Sequence, residues 1–122
     1  MEIKKIVIGG INIAVVRNDT VVISDVQSAL DFIATVQYEV DSRRIIIHKS
    51  LISESFFDLK TRLVGEILQK FINYKVKIAI VGDFSIYTSK SLKDFIYECN
   101  KGNDIFYLGT EQQAIEKLST LK

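Results

Sequence analysis

The hydrophobic residues at the start of the chain fall into two short runs that are rich in β-branched side chains, Ile3 to Ile8 and Ile11 to Arg17. The Gly9-Gly10 pair between them tolerates the positive φ angles that a two-residue hairpin turn needs. A second turn signal, Asn18-Asp19, precedes a third apolar run, Val21 to Ile23. The pattern predicts that the chain opens as an antiparallel ribbon of two strands or as a meander of three.

After residue 23, four segments space their apolar residues three or four positions apart, which is the period of one face of an α-helix. Hydroxyl or carboxylate side chains that can accept from the first free backbone N–H groups stand before each segment. In chain order these start signals are Ser24 with Gln27, Asp58, Ser89 or Ser91, and Thr110 with Gln113. Gly102 stands where a left-handed C-cap of the third helix belongs.

Three apolar segments between the helices do not alternate with polar residues: Arg44 to His48, Val76 to Val81, and Ile105 to Leu108. Such runs suit strands that are covered on both faces, as in a parallel sheet. Strands that alternate with helices imply right-handed crossovers. We therefore predict a single α/β domain over residues 1–122. Its mixed sheet would combine antiparallel N-terminal strands with parallel strand–helix units and carry four helices.

Composition and charge narrow the function classes. Sixteen Lys and Arg against fifteen Asp and Glu give a formal net charge of +1, so no global field favours nucleic acid or an anionic membrane. One cysteine and one histidine make neither an intrachain disulfide nor a Cys/His zinc cluster. No apolar run reaches the roughly 18 residues of a membrane span, and no signal peptide stands out. We expect a cytoplasmic domain without metal, cofactor, membrane or nucleic-acid partner.

Ligands of open α/β sheets bind beyond the carboxyl ends of the parallel strands. That rule selects residues 48–58, after the triple-isoleucine strand, and residues 82–89, after the next strand. The first segment holds three serines and two carboxylates from Ser50 to Asp58. A serine there can be phosphorylated at a helix N-terminus or can simply cap that helix. Of Phe56 and Phe57, we expect one ring in the core and the other half-buried. If the second ring were exposed, it would mark a contact surface.

The second segment and the remaining reactive side chains give no recognisable catalytic set. Asp83 follows a buried strand, which suits a functional carboxylate and equally an ordinary Asx-turn. His48, at a strand end, is interpreted as a capping or surface histidine. Cys99 lies on the apolar stripe of its helix and is predicted to be an inert buried thiol. Neither GxGxxG nor GxxxxGK[ST] occurs in the chain.

The run FFDLKTRLVGEILQKFINYKVKIAIVGDFS, from Phe56 to Ser85, is followed by SKSLKDFIYECNKG, from Ser89 to Gly102. Together these runs resemble a bacterial family catalogued as domain of unknown function 4180, and the likeness spans nearly the entire chain. The resemblance implies a bacterial cytoplasmic protein and brings with it neither an activity nor catalytic residues.

A looser resemblance is to STAS domains, the anti-sigma-factor-antagonist and sulphate-transporter module. These domains also open with antiparallel strands, and they carry a serine, often within Asp-Ser-x-Gly, in a loop where phosphorylation switches partner binding. The equivalent stretch here is ISESFFDL, Ile52 to Leu59, with Ser53 or Ser55 as the matching hydroxyl. No Asp precedes the serine and no Gly follows it, since Glu54 separates the two serines and Phe56 comes next. This departure weakens the phosphoswitch analogy more than the fold analogy.

The sequence thus supports a small STAS-like regulatory or protein-interaction module without turnover chemistry of its own. Its candidate switch or partner-binding residues are Ser53, Glu54, Ser55, Phe56 and Asp58. The alternative is a small-molecule-binding domain or an undetected enzyme, for which a raised pKa of Asp83 would be the mark. The candidate lining of that pocket is His48, Asp83, Ser85 and Tyr87, joined by Glu54. A third interpretation is a structural oligomer, such as a homodimer, formed through the opening ribbon or through the two adjacent phenylalanines.

Overall fold

One five-stranded sheet organises the part of the chain that the computed structural model describes, residues 1–121. The strands and helices are β1 (Glu2–Ile8), β2 (Ile11–Arg17), α1 (Val26–Val40), β3 (Arg44–His48), α2 (Leu63–Asn73), β4 (Lys77–Val81), α3 (Lys90–Lys101), β5 (Ile105–Leu108) and α4 (Glu111–Thr120). The order in the sheet is β1-β2-β3-β4-β5, so that strands consecutive in sequence are neighbours in space. The predicted α/β class, with antiparallel opening strands, parallel strand–helix units and four helices, is confirmed.

The strand directions follow from the turns that join the strands. β1 and β2 are antiparallel, and Ile8 pairs with Ile11 across the turn. Gly9 and Gly10 both have positive φ, +57° and +81°, which is why two glycines suit this hairpin. The other strand pairs are parallel, with Ile46 of β3 beside Ala79 of β4. The triple-isoleucine strand and its successor therefore run side by side in the same direction, as predicted.

The two faces of the sheet are buried under different helices, and the three isoleucines of β3 divide between them. Ile45 and Ile47 point into a core cluster with side chains of α1, α2 and α3, whereas Ile46 packs with the α4 side chains on the opposite face. All three are at most 2% exposed. A strand covered on both faces needs apolar side chains at every position, and this explains the absence of alternation.

The segment between β2 and α1 settles one open alternative and corrects one prediction. Of the two openings expected, the ribbon of two strands forms and the meander of three does not, because within residues 21–23 only Ile23 forms an isolated bridge, with Ile52. The capping box of α1 lies one residue later than predicted: the Asp25 carboxylate accepts the Ser28 backbone N–H at 2.7 Å, and the Ser28 hydroxyl accepts the Asp25 N–H at 3.0 Å. A carboxylate is an equally good N-cap and fixes the helix start here.

Two further helix boundaries differ from the prediction. Asp58 does not start α2; it caps a 3₁₀ turn at Leu59–Thr61, after which Arg62 adopts a left-handed φ of +61° and the helix begins. Gly102 has a φ of −83° and is therefore not a left-handed cap, although its N–H bonds to the Cys99 carbonyl. Ser89 as the cap of α3 and the Thr110–Gln113 capping box of α4 are confirmed.

Candidate functional site

The loops that leave β3 and β4 share one rim of the molecule. His48 and Val81, the last residues of these parallel strands, are register partners, so that the two loops start side by side. We call residues 49–62 the β3 loop and residues 82–89 the β4 loop. Every candidate residue named from the sequence lies on one of these loops or, for His48, at the base of the first.

The β3 loop is built on buried side chains. Its 3₁₀ turns, at Lys49–Leu51, Glu54–Phe57 and Leu59–Thr61, follow one another with few residues between them. Its buried residues are Leu51, Ile52, Phe56 and Phe57. Both phenyl rings belong to the core, at 1% and 5% exposure, so the predicted half-buried ring is wrong. Phe56 accordingly holds the loop from below and has no exposed surface for a partner.

Aromatic side chains fill the space between the two loops. The Phe57 ring stacks on Tyr87 at 5.3 Å between centroids, and Phe84 lies 6.1 Å from Phe57. On the core side, Phe84 meets Tyr107 edge-on at 5.4 Å. Packed rings at these separations add favourable contact energy to simple burial. The β4 loop is thus attached to the β3 loop through its two half-buried rings.

A hydrogen bond between the loops lies above this aromatic cluster. The Tyr87 hydroxyl donates to the Glu54 carboxylate, with its closer oxygen at 3.2 Å. Partial burial of the ring, together with the charge and the hydrogen bond of Glu54, raises the pKa of Tyr87 to about 12. The Lys49 ammonium lies 5.0 Å from the centroid of the same ring, within cation–π range. Tyr87 therefore contacts three residues of the β3 loop: Lys49, Glu54 and Phe57.

The polar candidates of the β3 loop form one exposed segment. Glu54, Ser55 and Asp58 are exposed, whereas Ser53 is half-buried. The Ser53 and Ser55 hydroxyl oxygens are 2.8 Å apart and share a hydrogen bond. The backbone beneath them is fixed, because the Ser53 N–H donates to the Ile23 carbonyl and the Thr61 hydroxyl donates to the Ser55 carbonyl. The segment is exposed and at the same time held in a defined conformation.

The residues of the alternative pocket satisfy one another locally. His48 Nδ1 accepts the Ser50 backbone N–H at 3.1 Å, so the histidine caps the first 3₁₀ turn. Asp83 accepts both the backbone N–H and the hydroxyl of Ser85, in an Asx-turn. The hydroxyl bond is the largest of the causes that hold the pKa of Asp83 below its usual value. This direction is opposite to the raised pKa that we expected of a ligand pocket.

Two residues of the β4 loop, Gly82 and Phe84, were not among the candidate residues named from the sequence, where Gly82 was interpreted as room for a tight turn. A Cβ on Gly82 would lie 2.6 Å from Cδ of Lys49, so the glycine leaves room for the lysine stem to cross the end of β4. Phe84, the central ring of the β4 loop, was likewise not singled out. A glycine directly after a buried strand indicates a close approach of another group. The sequence contains that signal for Gly82, but not the identity of the group that approaches.

Two negative findings apply to residues 1–121. No group of three or more His, Cys, Asp or Glu side chains among them is placed to hold a metal ion. In the same part of the chain, no helix has both the length and the apolar character needed to cross a membrane.

Comparison with known proteins identifies the family. Among solved structures, the chain is similar to the crystal structure of a candidate anti-sigma factor antagonist from Thermotoga maritima, with 14% identity, a TM-score of 0.47, and coverage of 95% of this chain and 93% of that chain. This similarity assigns neither activity nor partner to the present chain. No protein with a curated description matches the sequence. The model of a family described as a domain of unknown function matches residues 8–118. The chain belongs to that family, DUF4180.

Proposed function

We propose that this domain is a regulatory protein-interaction module that binds a protein partner through the rim of the β3 and β4 loops and has no turnover chemistry of its own. The observation that carries the proposal is the packing of Phe57, Phe84 and Tyr87 between the loops. The place where α/β enzymes hold their substrate is here occupied by the protein's own rings. What the rim offers to another molecule is its polar outer surface.

Ser55 is the hydroxyl that we place at the centre of this surface. It is exposed, and it sits between Glu54 and Asp58 on a backbone fixed from below. A phosphate on Ser55 would add a charge of about −1.5 to −2 beside these two carboxylates. It would repel an acidic partner or recruit one that carries arginines.

The same phosphate would also act on the β4 loop. Glu54 is the residue that receives the Tyr87 hydrogen bond, and it is the direct neighbour of Ser55. Repulsion between a phosphate and the Glu54 carboxylate opposes the position in which that bond is made. A modification on one loop would thereby change the surface offered by both loops.

The test compares partner binding by wild type, Ser55→Ala and Ser55→Asp, each immobilised at equal density. Ser119→Ala and Ser119→Asp are matched controls, because Ser119 lies on α4, on the opposite face of the sheet. We expect wild type, Ser55→Ala and both Ser119 variants to bind the same set of partners. Ser55→Asp should bind a different set, with partners lost or gained. Mass spectrometry of the protein from its own cells should locate phosphate on Ser55. Identical partner profiles for all five proteins would contradict the switch.

A ligand screen separates this proposal from its alternative. Nucleotides, sugars and carboxylates are added in a thermal-shift assay, since a ligand that binds only the folded state raises the melting temperature. We expect no shift from these classes. A compound that raises the melting temperature of wild type but not of Asp83→Asn would favour the small-molecule-binding domain instead.

A further inference from the structure

The first strand, β1, leaves one edge of the sheet open. A two-residue turn joins β1 to β2, and the residues that flank such a turn, Ile8 and Ile11, bond to each other. Every second residue of β1 therefore bonds to β2, and the N–H and C=O groups of Ile3, Lys5 and Val7 point outward. In the part of the chain that the structure describes, no backbone group bonds to these three residues. An edge of this kind is a template for a further strand.

The opposite edge of the sheet, at β5, is short and is closed by a side chain. The Tyr107 N–H donates to the Asn100 side-chain carbonyl at 2.7 Å, and the Asn100 amide donates to the Tyr107 carbonyl at 3.0 Å. Asn100 thus takes the place that a neighbouring strand would occupy. Since β5 has four residues and β1 has seven, β1 is the edge that offers a further strand the longer row of free backbone groups.

The open edge carries charges of both signs. Glu2, Lys4 and Lys5 are exposed, and none of them forms an ion pair with another of the residues 1–121. Side chains alternate between the two faces of a sheet, so Glu2 and Lys4 share one face. Lys5 lies on the other face together with Ile3, which packs against the core cluster under α1.

We infer that β1 is a self-association edge, on which β1 of a second copy of this chain pairs antiparallel about a two-fold axis at Ile3. The outward N–H of Ile3 in each copy donates to the Ile3 carbonyl of the other, and the two sheets become one. Glu2 of each copy then lies directly opposite Lys4 of the other, on the same face. Such a pair does not share backbone bonds, so its Cα atoms are only about 4.5 Å apart and the two charges meet.

A second charge contact forms on the face that carries α1. In the same register, Lys5 of one copy lies opposite Met1 of the other. Met1 lines a groove together with Asp31 of α1, and Asp31 is exposed. The lysine stem therefore runs along Met1, and its ammonium is directed toward the Asp31 carboxylate of the other copy.

The second copy is the occupant because the charges of β1 complement themselves in this register. An isologous pair repeats each contact, so one edge must supply both the acid and the base. A two-fold axis at Lys4 or at Lys5 would place that lysine beside its own copy, which is unfavourable. A purely acidic strand of another protein would suit the two lysines but not Glu2. Assembly ends at two copies, because the edges that remain are the two β5 edges.

Proline substitutions test the edge and its register. The outward N–H groups of Lys5 and Val7 bond to no backbone group of the monomer, so Lys5→Pro and Val7→Pro leave the bonds to β2 in place. Sedimentation equilibrium up to millimolar concentration should show a monomer–dimer equilibrium for wild type. We expect a dimer about tenfold weaker or more for Lys5→Pro, which loses one bond in each copy. Val7→Pro is the matched control and should leave the dissociation constant unchanged, because Val7 lies beyond the overlap of the two strands.

Melting temperatures measured on dilute, monomeric samples show whether both proline variants are folded. A protein that stays monomeric at millimolar concentration overturns the inference. So does a folded Lys5→Pro that dimerises as well as wild type, or a Val7→Pro dimer that is weakened as much as that of Lys5→Pro.

Exchange of the charges tests the occupant without any change to the backbone. Glu2→Lys and Lys4→Glu should each weaken the homodimer by about tenfold, because each places like charges opposite each other twice. The double variant should restore the dimer, and an equimolar mixture of the two single variants should form heterodimers. Lys93→Glu on α3 makes the same charge change far from β1 and should leave the dissociation constant unchanged. A dimer indifferent to the exchange overturns the inference, as does a β1 edge that pairs only with a strand of another protein.

Discussion

The two loops of the rim are ordered by different means. The β3 loop sends Leu51, Ile52, Phe56 and Phe57 into the core, and its backbone is bonded to the segment before α1. The β4 loop has two local hydrogen-bonded turns, the Asp83–Ser85 turn and the turn closed by the Tyr87 N–H on the Phe84 carbonyl. Its rings, Phe84 and Tyr87, are half-buried, and both pack on Phe57. The first loop is thus held by the core, and the second is held in large part by the first.

Because of this difference, the order of the β4 loop depends on the β3 loop more than the order of the β3 loop depends on the β4 loop. A change in the β3 loop removes the surface on which the β4 loop rests, whereas a change in the β4 loop leaves the buried anchors of the β3 loop in place. A regulatory modification is therefore best placed on the β3 loop, where Ser55 lies. The predictions that follow test this asymmetry.

The largest effect is expected for Phe56→Ala, set against Phe84→Ala in the other loop. Phe56 is 1% exposed, and removing a fully buried phenyl ring costs about 3–5 kcal/mol of unfolding free energy. Phe84→Ala should cost clearly less, because the ring is only half-buried. Urea denaturation measures both values, and a similar m-value in each variant shows that the comparison is sound.

Hydrogen exchange in the same two variants tests the direction of dependence. Phe56→Ala should accelerate exchange of the Tyr87 N–H, which donates to the Phe84 carbonyl in the β4 loop. Phe84→Ala should leave the Ser53 N–H, which donates to the Ile23 carbonyl, as protected as in wild type. Loss of protection at Ser53 in Phe84→Ala would mean that each loop supports the other equally.

The fold was predictable where short segments carry their own signal. The Gly9-Gly10 turn, the triple isoleucine of β3 and the Thr110–Gln113 capping box depend on residues within a few positions of one another. Asp58 failed as a helix start for a different reason. The chain just before α2 forms 3₁₀ turns in which Phe56 and Phe57 are buried. No local sequence pattern indicates which of these rings are buried. Tertiary contacts there override the local capping preference.

The candidate site was predictable in place but not in detail. The rule for parallel strands located both loops, because the carboxyl ends of β3 and β4 lie at one edge of the sheet. The bond from Tyr87 to Glu54 joins residues 33 positions apart, and the contact of Lys49 with Gly82 is equally remote in sequence. Such pairs follow from the register and the loop path, which a single sequence does not reveal.

The next effect is electrostatic and crosses between the loops. In Glu54→Gln, the pKa of Tyr87 should fall from about 12 toward 10, because the charge that opposes ionisation is removed while the buried ring stays. A pH titration of tyrosinate absorbance into the alkaline range measures this pKa. The transition that is absent from Tyr87→Phe belongs to Tyr87. Glu116→Gln on α4 is the control and should leave the pKa of Tyr87 unchanged.

The sign of the stability change follows from the same pKa. The folded protein holds the Tyr87 proton more tightly than the unfolded chain, whose tyrosines have a pKa near 10. The stabilisation is complete below pH 10, and it is lost as the pH rises from 10 to about 12. Tyr87→Phe should therefore lose less stability over that interval. Some loss should persist in the variant, because burial also raises the pKa of Tyr107. An identical alkaline profile in the two proteins would contradict the inter-loop bond.

The smallest effect is expected for Ser85→Ala, which removes the hydroxyl bond of the Asp83–Ser85 turn and keeps the backbone bond. The pKa of Asp83 should rise toward its usual value, because the Ser85 hydroxyl is the main cause that lowers it. Wild type loses the stabilisation from Asp83 as the pH falls through the lowered pKa of that carboxyl. The Ser85→Ala variant should lose less stability over the same fall in pH. Carboxyl NMR titration measures the pKa, and Asp25, held low by Ser28, is an internal control. If Ser85→Ala instead destabilised the protein as much as Phe84→Ala, the β4 loop would be held by its own turn, and its dependence on the β3 loop would be disproved.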